Sequence, residues 1–218
     1  MSPPRVVTID GAAGSGKSTL ARNLARTLDV PYVNTKLMYR ALAAAAVRAG
    51  VSPDDVERAV ELTRALRFTL RDADPPELEV EGFRNADLTT PEVESTVSAI
   101  SRHPQVRRLM RDAQRLLGER GAVMEGRDIG AVVFADAPVK LYLEATPDTR
   151  AARRARERDA ERDAVNAAMH TRDALDARTN PFEPPAGAHV LDTTHLSIEA
   201  TVQAALAIVR DLAPDLLP

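Results

Sequence analysis

The sequence predicts an α/β fold in which a parallel five-stranded sheet is flanked by helices on both faces. Short β-rich apolar runs alternate with alanine- and leucine-rich stretches, which is the pattern of a parallel sheet with helical crossovers. A glycine-rich run follows the first apolar run and leads directly into the first helical stretch. At 218 residues the chain has room for one well-buried core with a small insertion, so we expect a single domain over residues 1–218.

Five runs are predicted to form the sheet, and the helices lie between and after them. The strands are RVVTID (5–10), PYVNT (31–35), GAVMEG (121–126), VKLYLEA (139–145) and AHVLDTT (188–194). The predicted helices cover 17–28, 37–49, 53–65, 91–101, 104–119, 147–160, 165–176 and 197–212.

Residues 67–93 interrupt this alternation. They are typical of two short antiparallel strands joined by a proline turn, followed by a helix that begins near Pro91. We therefore predict an insert over about 66–103 within a core made of 1–65 and 104–218.

Charge and composition exclude several kinds of partner. The formal net charge is -3, so anions must be bound by local groups of basic residues, and neither nucleic acid nor a membrane is expected as a partner. Cysteine is absent, which excludes disulfides and thiolate metal sites. Without a signal-like stretch or an apolar run of bilayer length, the sequence predicts a cytoplasmic protein, and its size and composition favour a monomer.

The glycine-rich run fits the pattern of a phosphate-binding loop, in which two glycines separated by four residues precede Lys and Ser. Backbone N–H groups and the helix N-terminus would face the phosphates, with Lys17 at the β- and γ-phosphates and Ser18 on Mg²⁺. A glycine-rich turn with an incidental lysine is disfavoured by the correctly placed strand and helix. The expected contacts to a nucleoside triphosphate are Gly11, Ala12, Ala13, Gly14, Ser15, Gly16, Lys17, Ser18 and Thr19.

Two further nucleotide-binding classes are disfavoured. The Asp-x-x-Gly and Asn-Lys-x-Asp patterns of GTPases occur nowhere in the sequence. A motor or large ATPase usually has additional domains, for which this length leaves little room. Among kinases, GTPase switches and motors, a kinase is therefore the favoured class.

The second predicted strand ends in NTKLMYR, residues 34–40. Polar residues at the carboxyl end of a parallel strand face the ligand crevice, which would place Tyr39 and Arg40 near it. An arginine suits a phosphomonoester and a tyrosine can border a base or ribose. Taken alone, a helix start with a solvent-exposed arginine and a half-buried tyrosine is the better explanation of this stretch.

The third strand ends in Glu125-Gly126-Arg127-Asp128. A carboxylate here can hold Mg²⁺ through water, and an arginine can bind phosphate. The alternative is an ion-paired turn, but the position at the end of a core strand, opposite the phosphate-binding loop, favours a functional role.

Two charged stretches follow the fourth strand. Residues 149–164 are predicted to be mostly a solvated helix face with internal ion pairs. In residues 171–180, Arg172 and Asp176 are at helical spacing and Arg178 lies just beyond, so this segment could fold over a phosphoryl group or could equally be a second solvated face.

Taken in order, these motifs resemble bacterial-type cytidylate kinases. The matching segments run from Thr8 to about Val209: IDGAAGSGKST, YR, TPEV, VSAISRHPQVR, EGRDIGAVVFADAPVK, RD..D and LDTT. The resemblance implies the P-loop nucleoside-monophosphate kinase fold, with a monophosphate-binding insert and a short lid at about 153–180. It also implies an ATP- and Mg²⁺-dependent phosphorylation of CMP and dCMP to CDP and dCDP.

The same resemblance implies roles for individual residues. The catalytic groups would be Lys17, Arg127, Asp128 and Arg172. Arg107 and Arg127 would bind the cytosine edge with help from Ser98, and Asp176 would contact the sugar hydroxyls. The complete set of implied acceptor contacts is Thr35, Tyr39, Arg40, Ser98, Arg107, Arg127, Asp128, Asp176 and Arg178.

The sequence departs from the family pattern at four places. Asn34 and Lys36 stand where an Asp and a Gly are usual, Thr89 replaces a frequent arginine, and Arg178 lies one residue closer to Asp176 than expected. Two alternatives therefore stay open at this point: a kinase of broader UMP/CMP specificity, and a nucleotide-binding protein without transfer activity.

Overall fold

The computed structural model describes residues 4–158 and 183–218. Within these ranges the strands are β1 (Val6–Gly11), β2 (Tyr32–Asn34), β3 (Phe68–Arg71), β4 (Glu77–Val80), β5 (Ala122–Glu125), β6 (Val139–Glu144) and β7 (His189–Asp192). The α-helices are α1 (Lys17–Thr27), α2 (Thr35–Ala49), α3 (Val56–Ala65), α4 (Pro91–Ile100), α5 (Pro104–Gly118), α6 (Pro147–Arg158) and α7 (Ile198–Leu212). The predicted helix over 165–176 and most of the predicted lid lie outside the described residues.

The strands form one sheet in the order β3-β4-β2-β5-β1-β6-β7. All neighbours are parallel except β3 and β4, so the predicted α/β class is confirmed. The expected strand number was wrong: seven strands pair, because both strands of the predicted insert extend the same sheet. The backbone groups at the free edge of β2 need hydrogen-bond partners, and β4 pairs with them in parallel register. The Tyr32 N–H donates to the carbonyl of Pro76, the residue just before β4, at 2.8 Å.

Local sequence signals explain where two of the helices begin. Thr90 accepts a hydrogen bond from the backbone N–H of Val93, and Pro91 occupies the first turn of α4, where no backbone donor is needed. Helix α2 begins at Thr35 rather than at the predicted residue 37, because the Asn34 side chain accepts from the Lys36 N–H and caps the helix at that point.

Two apolar clusters cover the two faces of the sheet. Alternation along β5 sends Met124 to one cluster and Val123 to the other. The first cluster includes Leu78 and Val80 of β4, so the insert strand is packed into the same core as Met38 of α2. Each such fully buried side chain contributes about 1.5–3 kcal/mol to folding.

Among the described residues, the helices are all too short or too polar to cross a bilayer.

Candidate active site

The phosphate-binding loop, residues 11–18, leaves the carboxyl end of β1 and opens α1. Gly14 and Gly16 have φ angles of 78° and 96°, a left-handed conformation that favours glycine, and Gly16 is the N-cap of α1. A Cβ atom on Gly14 would lie 2.8 Å from the carbonyl oxygen of Arg150, so the loop can approach α6 only without a side chain here. The Lys17 Nζ donates to the Ala12 carbonyl at 2.6 Å and so lies over the loop.

Helix α6 supplies two arginines to the outer side of this loop. Arg150 donates to the Ala13 carbonyl at 3.1 Å, and Arg153 donates to the Ser15 carbonyl at 3.3 Å. The buried Thr193, which follows β7, also lies 3.0 Å from the Ser15 carbonyl. Residues 149–164 are predicted to form mostly a solvated face, and these two arginines are exceptions, because the end of β6 directs the first turns of α6 toward the loop. Residues 159–164 lie outside the described residues.

Ser18 meets Glu125 across the gap between α1 and β5. The Ser18 hydroxyl donates to Glu125 Oε2 at 3.0 Å, and the Tyr32 hydroxyl donates to Oε1 at 2.5 Å. Glu125 is buried, with 4% of its surface exposed, and its backbone carbonyl accepts from the Thr35 hydroxyl at 2.8 Å. Burial, reinforced by the charge of Glu125, raises the pKa of Tyr32, so this phenol stays protonated and acts as a donor.

The oxygen donors around Ser18 suit a hard cation. In residues 4–158 and 183–218 no group of three or more His, Cys, Asp or Glu side chains could hold a metal by itself. Mg²⁺ commonly binds through one or two protein oxygens together with phosphates and waters. The Ser18 hydroxyl beside the Glu125 carboxylate fits that mode.

A second polar cluster lies beyond Glu125, between β5 and α5. Arg107 of α5 is paired with Asp128, and Arg127 is half-buried in the turn just before it. Tyr39 of α2 lies beside this pair, and burial raises its pKa. The structure thus brings together Tyr39, Arg107, Arg127 and Asp128, which are distant in sequence.

Asp10 fixes the turn that carries this second cluster. Its carboxylate accepts hydrogen bonds from the backbone N–H groups of Ile129 and Gly130 at 3.0 and 2.7 Å. These residues begin a short π-helix, Ile129–Val133, whose first N–H groups have no partner within the helix. Asp10 is 1% exposed, and burial raises its pKa to about 6.

Arg40 and Ser98 lie apart from the cluster of Arg107, Arg127 and Asp128. Arg40 is buried against the insert, where it donates to the Leu88 carbonyl at 2.7 Å and pairs with Glu94 at 2.5 Å. Ser98 is exposed on α4, one helical turn after Glu94. The alternative of a solvent-exposed arginine is wrong for Arg40, because α4 covers it.

The departures at residues 34–36 leave the backbone unstrained. In the described ranges, Asp29 is the one non-glycine residue with positive φ, so Lys36 needs no glycine-like conformation. Thr89 is exposed, and its hydroxyl donates to backbone carbonyls of the turn before it. The predicted lid contacts Arg172, Asp176 and Arg178 lie outside the described residues.

A cavity of about 380 Å³ adjoins the phosphate-binding loop on the side of β6 and β7. Its lining includes Ala12 of the loop, Tyr142 of β6, Arg150 of α6 and Thr194, which follows β7. The cavity therefore continues the phosphate site away from the Arg107–Asp128 pair.

Sequence reasoning missed Asp10, Tyr32, Arg150, Arg153 and Thr193. Asp10 and Tyr32 had a detectable signal, because each is a polar residue inside an apolar strand pattern. For Arg150 and Arg153 the spacing of three residues indicated a shared helix face, but not which face meets the loop. Thr193 lies in LDTT, whose role depends on pairing between distant strands.

Known proteins resemble this chain over most of its length. The family model for cytidylate kinase matches residues 7–211. A cytidylate kinase of Roseiflexus castenholzii is 41% identical to the chain, with 99% of this chain and 97% of the relative covered. The cytidylate kinase of Corynebacterium efficiens is 41% identical, with 89% of this chain and 89% of the relative covered. That of Chloroflexus aggregans is 43% identical, with 88% of this chain and 87% of the relative covered. The chain belongs to the cytidylate kinase family.

Proposed function

We propose that this protein transfers the terminal phosphoryl group of ATP to CMP and dCMP, giving ADP and CDP or dCDP. One observation carries the proposal: the end of β5 connects the phosphate-binding loop to the polar cluster that contains Arg107 and Asp128. Glu125 contacts Ser18 of the phosphate-binding loop, and Asp128, three residues later, pairs with Arg107. Two nucleotides bound at these places would lie at opposite ends of one short stretch of chain.

The residues of the donor side act by positioning and by charge. Lys17 and the loop amides would hold the β- and γ-phosphates, and Ser18 with Glu125 would hold Mg²⁺, directly and through water. The metal would supply neutralisation of charge on the transferred group. The cavity beside Ala12, which Arg150 also lines, would receive the nucleoside of ATP.

On the acceptor side, Arg107, Arg127 and Asp128 have the donors and acceptors needed for the edge of cytosine, and Ser98 of α4 would assist them. Thr35, Tyr39 and Arg40 of α2 border the monophosphate in this proposal. The insert, about 66–103, would carry the acceptor, and the lid, about 153–180, would exclude water and bring Arg172, Asp176 and Arg178 to the nucleotides. We further propose that the enzyme acts as a monomer in the cytoplasm, where its nucleotide substrates are found.

Broader UMP/CMP specificity and binding without transfer are not favoured. The relatives described above are named cytidylate kinases, and the chain retains the lysine, serine and Arg-Asp pair that transfer would use.

A coupled ADP-release assay with CMP, dCMP, UMP, AMP and GMP tests the proposal. We expect the largest kcat/KM with CMP or dCMP, and no ADP release after EDTA treatment. Fastest turnover with AMP or GMP would refute the cytidylate assignment. Comparable turnover of UMP and CMP would favour the broader pyrimidine kinase, and the absence of turnover with every acceptor would favour a binding protein.

A further inference from the structure

The Glu125 carboxylate accepts hydrogen bonds from two hydroxyl groups, those of Ser18 and Tyr32. Of these two residues, Tyr32 has no role in the reaction described above. Ser18 contacts Oε2, while Oε1 accepts the hydroxyl of Tyr32 at 2.5 Å. Tyr32 is 3% exposed and lies on β2, which pairs directly with β5. The contact therefore joins neighbouring strands at the carboxyl edge of the sheet.

Contacts to its ring and to its backbone restrain the position of Tyr32. The guanidinium of Arg22 lies 5.0 Å from the centre of the Tyr32 ring and pairs with Glu77 of β4 at 2.7 Å. The backbone N–H of Tyr32 is bonded to the Pro76 carbonyl. A glutamate side chain has three rotatable bonds, so a fixed donor at Oε1 restricts where Oε2 can lie relative to Ser18.

We propose that Tyr32 is a positioning residue for the divalent cation of the donor site, acting through Glu125. The proposal rests on the assignment of a metal to Ser18 and Glu125 in the proposed function. Partners that orient a metal-binding carboxylate typically affect metal affinity by about 10–100-fold when they are removed. A purely structural tyrosine would instead contribute its ring, which phenylalanine retains.

The test is Tyr32→Phe, with Mn²⁺ as the probe. Free Mn²⁺ is measured by electron paramagnetic resonance in the presence of the full-length protein and ATP. We expect about 10-fold weaker Mn²⁺ binding in the variant, with affinity for metal-free ATP and KM for CMP changed less than about twofold. Thr63→Val is the matched control, because it removes a buried hydroxyl that donates to the Ala59 carbonyl of its own helix, α3.

A double-mutant cycle with Glu125→Gln separates positioning from packing. If Tyr32 acts through the carboxylate, Tyr32→Phe adds less than about twofold to the loss already caused by Glu125→Gln. Unchanged Mn²⁺ affinity in Tyr32→Phe would overturn the proposal, as would an equal loss in the Glu125→Gln background or an equal loss of metal-free ATP affinity. Failure of the wild-type protein to phosphorylate CMP would refute the proposed function without affecting the Mn²⁺ measurement.

Discussion

Asp10 is a buried carboxylate whose ionisation opposes folding. Burial is the largest influence on the pKa of Asp10 and raises it from 3.8 to about 6. The backbone N–H groups of Ile129 and Gly130 and the charge of Lys17 lower this pKa, while the charge of Asp128 raises it. The folded protein therefore binds this proton more tightly than the unfolded chain does. Stability from this group is fully present below about pH 4 and is lost as the pH rises to about 6.

Asp10→Asn should reveal this dependence. Asparagine cannot ionise, so the stability of the variant relative to the wild type should increase between pH 4 and pH 6 by up to about 3 kcal/mol and stay constant above that range. Urea unfolding at a series of pH values measures the difference. A gap between the two proteins that does not change with pH would show that Asp10 has an ordinary pKa.

At the scale of elements, the insert is attached to α2 by an ion pair. The Arg40 side chain is 4% exposed, and Glu94 of α4, at 31%, is its partner. The buried Nε atom of Arg40 has no hydrogen-bond partner among the described residues, so the guanidinium depends on Glu94 and the Leu88 carbonyl. Removing one member of such a pair leaves a buried charge without compensation.

We expect Glu94→Gln to lower the free energy of unfolding by about 1–3 kcal/mol, less than for a fully buried pair because Glu94 is partly exposed. The matched control is Glu92→Gln, an exposed residue of the same helix, which should change stability by less than about 0.5 kcal/mol. Chemical denaturation of the three proteins gives the comparison. Equal stability of the two variants would mean that the Arg40–Glu94 contact contributes nothing.

At the scale of the whole molecule, the insert shares one continuous sheet and one apolar cluster with the rest of the protein. Leu78 of β4 packs in the same cluster as Met124 of β5, while Leu141 of β6 lies in the cluster on the other face. Because these clusters share the strands between them, we expect the nucleotide-free protein to unfold as one cooperative unit.

Calorimetry tests this expectation. A single transition whose calorimetric and van't Hoff enthalpies agree is expected. Leu78→Ala and Leu141→Ala should each lower that same transition temperature, with losses of about 2–5 kcal/mol. A separate transition that moves only in Leu78→Ala would show that the insert unfolds independently.

The features that could be predicted are those encoded by residues close together in the sequence. The five core strands and most helix bounds follow from apolar periodicity, and the glycine pattern with Lys17 and Ser18 identifies the phosphate-binding loop wherever a strand and helix flank it. The seven-stranded sheet was not predictable in this way, since the pairing of β4 with β2 depends on which edge is free in the folded molecule. The positions of Arg150 and Arg153 were missed for a similar reason: a charged helix has no local signal for the surface it meets.

By itself, the sequence determined the α/β class, the phosphate-binding loop and the resemblance to cytidylate kinases, because each is encoded in residues close together in the chain. Only the tertiary structure decided that Tyr32, Glu125 and Ser18 form one contact, that Asp10 holds the turn after Asp128, and that the insert belongs to the main sheet. These contacts join residues up to about 120 positions apart, as for Asp10 and Gly130. They depend on the order and register of the strands, which no single stretch of the sequence specifies.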